Sequence, residues 1–483
     1  MRVLLLNPPR YQGIPVIRED RCEITERNSV IPPYSLMQLA AMLREKGHQV
    51  ALIDANGEGI SHQDIRHRLV MQSPFDALIF RFTPTTFDHD LKVAELTKEI
   101  STRTITISLC WTLQSLAKEI LESCDSLDIY AIGDSEVVVP NLVDTLAQKG
   151  KEKLCTVRGL AYKWHGDVVC TGAPDGDIDY DVLPIPAFDL VNMNMHRYYN
   201  NTKRNTCFGI VYTSKGCPYS CIYCTMRRTK WKAKSAARVI EEVRTLVRDY
   251  GVREIGFFDE TFTLDRQRVV DICQRLLNEG INLTWYCNTR VDRVDLELLK
   301  LMRKAGCRGI SYGVESASQV ILDNAKKGHT VEQARNAIKQ AREVGIKTYA
   351  AFMVGLPGEN WDTIRETIKF TKCALPNGAQ FNVAIPYPGT ELYEIAKTNG
   401  WIAENLDWRT LCQHSSIMRT TEMTPSELDQ ARKLLYRSFY FNPRWVLQNV
   451  KFIIRNPTDI SLAVRYYLRS LRSYLLHGMR HGH

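Results

Sequence analysis

Three cysteines in one short segment carry the strongest chemical signal in this 483-residue chain. Residues 215–224 read Lys-Gly-Cys-Pro-Tyr-Ser-Cys-Ile-Tyr-Cys, so Cys217, Cys221 and Cys224 have Cys-x3-Cys-x2-Cys spacing. Close thiolates are soft ligands that suit iron–sulfur clusters or zinc. Three ligands rather than four leave one metal position open to another molecule. A structural zinc site is the other reading, although no His follows at finger spacing. The chain has 14 cysteines. The others are scattered and read as small buried hydrophobes. They show no Cys-x2-Cys pair, so no second cluster is expected.

The elements that must position this loop follow from hydrophobic periodicity. From about residue 209, apolar runs alternate with helical patterns. Candidate strands are 210–213, 254–258, 284–288, 309–314, 347–353 and 380–385. Six such units predict a partial parallel (β/α)6 barrel over 205–400, acting at the carboxyl ends of its strands. The cysteine loop follows the first. Ahead of it, strands at 3–7, 50–54, 76–82, 104–109 and 127–132 alternate with helices. They predict a doubly wound, Rossmann-like α/β domain over 1–150, with ligands at its strand ends. Residues 151–204 read as a hairpin followed by a linker rich in Asp, Gly and Pro. Residues 401–483 read as a basic helical region.

These motifs, in this order at successive strand ends, resemble the radical S-adenosylmethionine (SAM) superfamily. The resemblance implies that Cys217, Cys221 and Cys224 bind a [4Fe-4S] cluster whose open iron SAM chelates. It implies that Tyr223 contacts the adenine. Phe257-Phe258-Asp259-Glu260-Thr261-Phe262 resembles the segment that receives the SAM amino group, with Asp259 and Glu260 as candidates. Asn288-Thr289-Arg290 ends the third strand, where Arg290 could pair with the SAM carboxylate. Glu315 resembles the acid that binds the ribose hydroxyls. Gly355 and Pro357, within Met353-Val354-Gly355-Leu356-Pro357-Gly358-Glu359, resemble the loop flanking the adenine.

A doubly wound domain ahead of such a barrel resembles the cobalamin-binding subgroup. Its members include anaerobic Mg-protoporphyrin ester cyclases, B12-dependent methylases and lipid-modifying enzymes of hopanoid and archaeal pathways. Asn7-Pro8-Pro9 and Gly133-Asp134-Ser135-Glu136 match that domain's pattern. Ser108-Leu109-Cys110-Trp111 departs from it, because the subgroup has small residues there that let a backbone approach the corrin. Cobalamin and a differently used crevice therefore both stay open. The implied chemistry is anaerobic cleavage of SAM to a 5′-deoxyadenosyl radical, driven by an external one-electron reductant of flavodoxin or ferredoxin type. The leading expectation is methylation, cyclisation or carbon–carbon bond formation on an apolar substrate, a lipid or tetrapyrrole. One alternative is a cobalamin-dependent methyltransferase of a small natural product or peptide. Another, from a different class, is a non-catalytic cobalamin or light sensor. Tyr212, Tyr312, Tyr387, Cys287 and Cys307 lie near strand ends as candidates for quenching a substrate radical.

The net charge is +9. Residues 431–483 hold ten Lys or Arg and one acid, Asp459, so this tail carries the whole excess. A uniformly basic nucleic-acid binder is not indicated, and no nucleic-acid partner is expected. Arg465, Arg469 and Arg472 among Leu and Tyr suggest a basic amphipathic helix over 460–476. Such a helix can contact a membrane surface or pack on the barrel. A second basic run, Arg227, Arg228, Lys230, Lys232 and Lys234, could meet anionic groups or form a solvated face. The brief apolar start lacks a signal-peptide pattern, and no stretch of about 18 apolar residues occurs. The expectation is a cytoplasmic protein, peripheral at the membrane's inner face if the tail docks there.

Overall fold

The computed structural model describes residues 1–19, 23–24, 29–196, 207–413 and 415–455. The expected tail helix over 460–476 lies outside the described residues. The N-terminal sheet contains the parallel strands Arg2–Asn7, Gln49–Asp54, Ala77–Arg81, Ile105–Leu109 and Ile129–Ala131. Their spatial order is second, first, third, fourth, fifth. This is a doubly wound arrangement whose order reverses beside the first strand. Val3, Leu4, Leu5, Leu6, Leu78, Ile79 and Phe80 are buried, as strands covered by helices on both faces require.

The expected hairpin forms and joins the N-terminal sheet. Leu160–Trp164 pairs antiparallel with Ile129–Ala131, and Asp167–Cys170 pairs with Leu160–Trp164. Both strands extend the N-terminal sheet, which therefore has seven strands.

The second sheet runs in sequence order through Phe208–Val211, Glu254–Phe257, Thr284–Thr289, Cys307–Glu315, Lys347–Val354 and Gly378–Val383, all parallel. Ser235, Asp265, Asp295, Thr330 and Asn360 each cap the helix that follows by accepting from its first-turn N–H groups. Burial alternates along the fifth strand, Lys347–Val354. Thr348, Ala350, Phe352 and Val354 pack under the helices, while Tyr349, Ala351 and Met353 occupy the half-open inner face.

The last strand leaves an edge with free backbone groups. Helix Pro425–Tyr440 runs along it, burying Leu428, Ala431, Leu435 and Phe439. The Tyr436 hydroxyl accepts from Phe381 N–H (3.2 Å), and the Tyr440 hydroxyl donates to the Ala379 carbonyl (2.9 Å). Two tyrosines thus satisfy an exposed edge that would otherwise invite strand addition. Among the described residues after 401, helix Pro425–Tyr440 is the element that covers this edge. The segment around Trp408 returns to the N-terminal domain, where Trp408 packs edge-on against Phe87 at 4.8 Å.

Candidate functional site: the cysteine loop and the strand ends

The cysteine loop is cinched at its base. Ser214–Lys215 pairs with Lys232–Ala233 in a two-stranded ribbon. Gly216 has φ +94°, and a Cβ there would lie 2.2 Å from the Lys230 carbonyl oxygen, so only glycine fits. Cys217 N–H donates to Thr229 Oγ1 (2.8 Å), and Thr229 N–H returns a bond to the Cys217 carbonyl (3.1 Å). Ile222 N–H donates to the Ala325 carbonyl, and its own carbonyl accepts from Leu392 N–H. The loop is therefore held between the segments after the fourth and sixth strands.

The three thiols lie close enough to influence one another. Burial pushes Cys224 up to about 12, with Cys221 and Cys217 adding to the shift. Burial also raises Cys217, and the neighbouring Cys221 and Glu260 charges raise it further. Thiols in this setting become thiolates at neutral pH only by coordinating an electron-poor metal. Among the described residues, no three Cys, His, Asp or Glu converge as a single-ion site. The donor set and the tightly tied loop fit a [4Fe-4S] group.

Asp259 does not point at an open site. Its carboxylate accepts from Thr213 N–H (2.7 Å), Thr213 Oγ1 (2.5 Å) and Ser214 Oγ (2.6 Å), while Arg268 lies 3.5 Å away. It joins the end of the second strand to the start of the cysteine loop. Glu260 is half-buried and lies near Cys217. Asn288 lies on the inner face of the third strand, and its carbonyl accepts from Phe262 N–H (3.0 Å).

Arg290 is also largely committed. Its Nε and Nη2 bond Asp292, and Nη2 also donates to the Lys327 carbonyl (2.7 Å). Its guanidinium stacks 3.7 Å from the ring centre of Tyr219, inside the cysteine loop. Arg293 Nε donates to the Tyr219 hydroxyl. Arg290 therefore clamps the loop to the third strand.

Glu315 sits at a break in register between the fourth and fifth strands, with φ +65°. A left-handed backbone is costly for a side chain like Glu, and such strain collects at functional sites. Its carboxylate accepts from Lys327 Nζ at 2.9 Å, and both groups are buried. A Cβ at Gly313 would come 2.7 Å from the Glu315 carboxylate and 3.0 Å from the Lys327 ammonium, so glycine opens this corner. Glu315 and Cys221 both raise the Lys327 pKa against the opposing effect of burial, which places the ammonium beside the cysteine loop. Sequence reading missed Lys327. Its signal was a lysine before Gly328, a residue at φ +74°, but nothing local links it to Glu315.

Gly355 has φ +94°, and its N–H donates to buried Glu359 (2.5 Å). The Pro357 carbonyl accepts from Asn324 Nδ2 (2.9 Å). Tyr223 packs in one cluster with Met353, Ile222 and Leu356, so the fifth-strand loop and the cysteine loop share a wall.

Most of the basic run is neutralised internally. Arg227 and Lys326 meet Glu391, Lys230 and Lys232 meet Asp177, Lys232 also meets Asp134, and Lys234 is buried against Glu242. Of the quencher candidates, Tyr312, Cys287 and Cys307 are packed in the helix-facing core. Tyr387 packs against the N-terminal core. Tyr212 packs against Tyr34 with the rings tilted and their centres 5.2 Å apart.

A family model described as the radical SAM superfamily matches residues 211–371. The uncharacterized methyltransferase PH0819 of Pyrococcus horikoshii is 32% identical over 96% of this chain and 99% of its own length. The chain belongs to the radical SAM superfamily. That membership implies a [4Fe-4S] cluster and SAM as cofactors and makes the protein an enzyme. The anaerobic magnesium-protoporphyrin IX monomethyl ester cyclase of Rubrivivax gelatinosus is 28% identical over 92% of this chain and 78% of its own. The fold is that of the cobalamin-dependent radical SAM enzyme OxsB, solved with aqua-cobalamin and SAM. The two superpose with TM-score 0.73 at 18% identity, over 99% of this chain and 76% of that one.

The strand ends of the N-terminal domain show how a corrin would meet this radical SAM chain. Trp111 Nε1 donates to the Thr225 carbonyl (3.3 Å), and its ring lies 5.8 Å from the Lys215 ammonium. Ser115 Oγ donates to the Pro388 carbonyl (2.9 Å). Lys215 pairs with Asp134 and Glu136 at the fifth strand end, both at 3.1 Å. Arg18 caps the first strand end through the Pro8 and Pro9 carbonyls and pairs with buried Asp90. These residues fit direct packing of the domain on the cysteine loop. A corrin laid across the fourth strand end would have to displace Trp111.

Proposed function

We propose that this radical SAM enzyme modifies an unactivated carbon of an apolar substrate, a lipid or tetrapyrrole, by methylation, cyclisation or carbon–carbon bond formation. The observation that carries the reading is end-to-end similarity to a named methyltransferase and a tetrapyrrole ester cyclase, spanning both sheets. A bound cluster would supply the one-electron reduction by which this superfamily cleaves SAM. The chain's own residues orient and shield. Cys217, Cys221 and Cys224 hold the cluster. Glu260 and Asn288 receive the SAM amino group. Lys327 receives the carboxylate, because the Arg290 fork is engaged by Asp292. Glu315 meets the ribose, and Tyr223, Gly355 and Pro357 flank the adenine. The Trp111 and Tyr387 side chains exclude water from the junction.

The electron comes from an external reductant of flavodoxin or ferredoxin type. Contact of the C-terminal region with a membrane surface belongs to the same reading. A second reading, cobalamin-dependent methylation of a small natural product or peptide, draws on the likeness of the N-terminal sheet to that of OxsB.

The test is the fate of SAM with anaerobically reconstituted protein and dithionite. 5′-Deoxyadenosine with little S-adenosylhomocysteine supports cyclisation or coupling. Both nucleosides, in cobalamin-dependent amounts, support methylation. A Cys217→Ala variant that keeps the biological activity would point instead to a non-catalytic cobalamin or light sensor.

A further inference from the structure

We infer that the two C-terminal helices present a docking surface for an anionic lipid bilayer, with Leu434, Phe441, Val446 and Leu447 entering the headgroup layer. This rests on the membrane part of the proposed function and names the surface responsible.

Helix Pro425–Tyr440 is already fixed to the barrel by its buried strip, Leu428, Ala431, Leu435 and Phe439. Helix Pro443–Arg455 is anchored by Trp445, whose Nε1 donates to the Asn377 carbonyl (3.1 Å). The outer side of the two helices keeps large apolar side chains exposed. There Leu434, Arg437 and Phe441 follow one another at i, i+3 and i+7, a single strip along a helix. Val446 and Leu447 are exposed on the next helix, Pro443–Arg455. Nine large hydrophobics are exposed among the described residues, and four of them fall within residues 434–447. Leu447 is 54% exposed and Phe441 48%. Such clustering is not needed for folding and marks an interaction surface.

Charge selects the partner. Residues 430–458 hold six Lys or Arg and no Asp or Glu. Apolar side chains interleaved with cations, free of acids, suit the interface of an anionic leaflet. Nucleic acid would also welcome the cations, but it needs aromatic faces for stacking. Here Phe439, Tyr440 and Trp445 are packed against one another, with ring centres 4.9 to 5.6 Å apart. Three of the four exposed side chains are aliphatic, which favours lipid.

The experiment floats the full-length, reconstituted protein with phosphatidylcholine vesicles, with and without phosphatidylglycerol. The expected result is flotation only with phosphatidylglycerol, weakened by salt. Each basic residue near an anionic surface is worth roughly fivefold in binding. The charge variant Lys433→Glu/Arg437→Glu/Arg444→Glu should therefore lose roughly a hundredfold or more by the same rule. The apolar variant Leu434→Ser/Phe441→Ser/Val446→Ser/Leu447→Ser should lose binding too, and both should keep the melting temperature and SAM cleavage of the parent. Flotation unchanged in both variants would overturn this surface while leaving membrane contact standing. No flotation at all would overturn both. A dimer dispersed by the apolar variant would assign the surface to a second copy of the chain. Displacement of RNA by the charge variant, without lipid binding, would assign it to nucleic acid. Either result would sink the inference.

Discussion

The Glu315 carboxylate, held at φ +65°, accepts a hydrogen bond from Lys327 at 2.9 Å, and both side chains are buried beside the cysteine loop. The pair joins the strained end of the fourth strand to the segment that follows the next short helix. It places one cation and one anion at the corner to which the proposed function assigns the zwitterionic end and the ribose of SAM.

Lys327→Met should therefore do two kinds of damage. Removing one partner of a buried pair costs about 3–5 kcal/mol of stability. Losing a charge-assisted contact to SAM weakens binding by about 1.5–3 kcal/mol, roughly ten- to a hundredfold. Lys327→Arg should restore part of the binding. Isothermal titration with SAM, alongside thermal melting, separates the two effects. Unchanged SAM affinity in Lys327→Met would remove this residue from the site.

Gly216→Ala tests the cinched loop. A methyl group 2.2 Å from the Lys230 carbonyl, at a φ of +94°, cannot be accommodated without opening the ribbon. Iron and sulfide bound after anaerobic reconstitution should fall well below the parent level, as they should for Cys217→Ala. Cys155→Ala, at an exposed and isolated thiol, should leave both unchanged.

Glu359 makes stability depend on pH. Burial pushes its carboxyl up to about 8, against an ordinary value near 4.5. The folded protein then keeps a proton that the unfolded chain has released. Stability is full below about pH 4.5 and declines as pH rises towards 8, by a total on the order of a few kcal/mol. Glu359→Gln has no charge to suppress. It should flatten that decline and melt above the parent at pH 8.5. Parallel melting curves for the two proteins from pH 5 to 8.5 would contradict this.

Trp111→Gly should open the fourth strand end. Cobalamin absorbance titrations should show tighter binding to the variant than to the parent, because the indole and its bond to Thr225 no longer compete for the space. Equal affinity would place any corrin elsewhere along the crevice.

Local physics made much of this protein legible before its structure. Parallel strands buried on both faces must be apolar runs, and a helix must begin with a group that accepts its first N–H bonds. The eleven parallel strands and caps such as Ser235 and Asn360 are therefore written in consecutive residues. The cysteine loop is local too, since three ligands of one cluster can come from a single turn of chain. What required the tertiary structure is partner choice across distance. Asp259 and Arg290 have the chemistry of cofactor ligands, but Thr213 and Asp292 claim them. The hairpin at Leu160 is legible as a hairpin, but the sheet it joins is fixed only when its edge finds Ile129–Ala131. Lys327 has no local signature, because its role depends on a backbone break at Glu315 that brings two buried charges together. Trp111 reads as a bulky substitution, and only the tertiary structure shows it reaching Thr225. Side-chain type and spacing are properties of the chain, whereas which donor satisfies which acceptor is decided only when distant segments pack together in the fold.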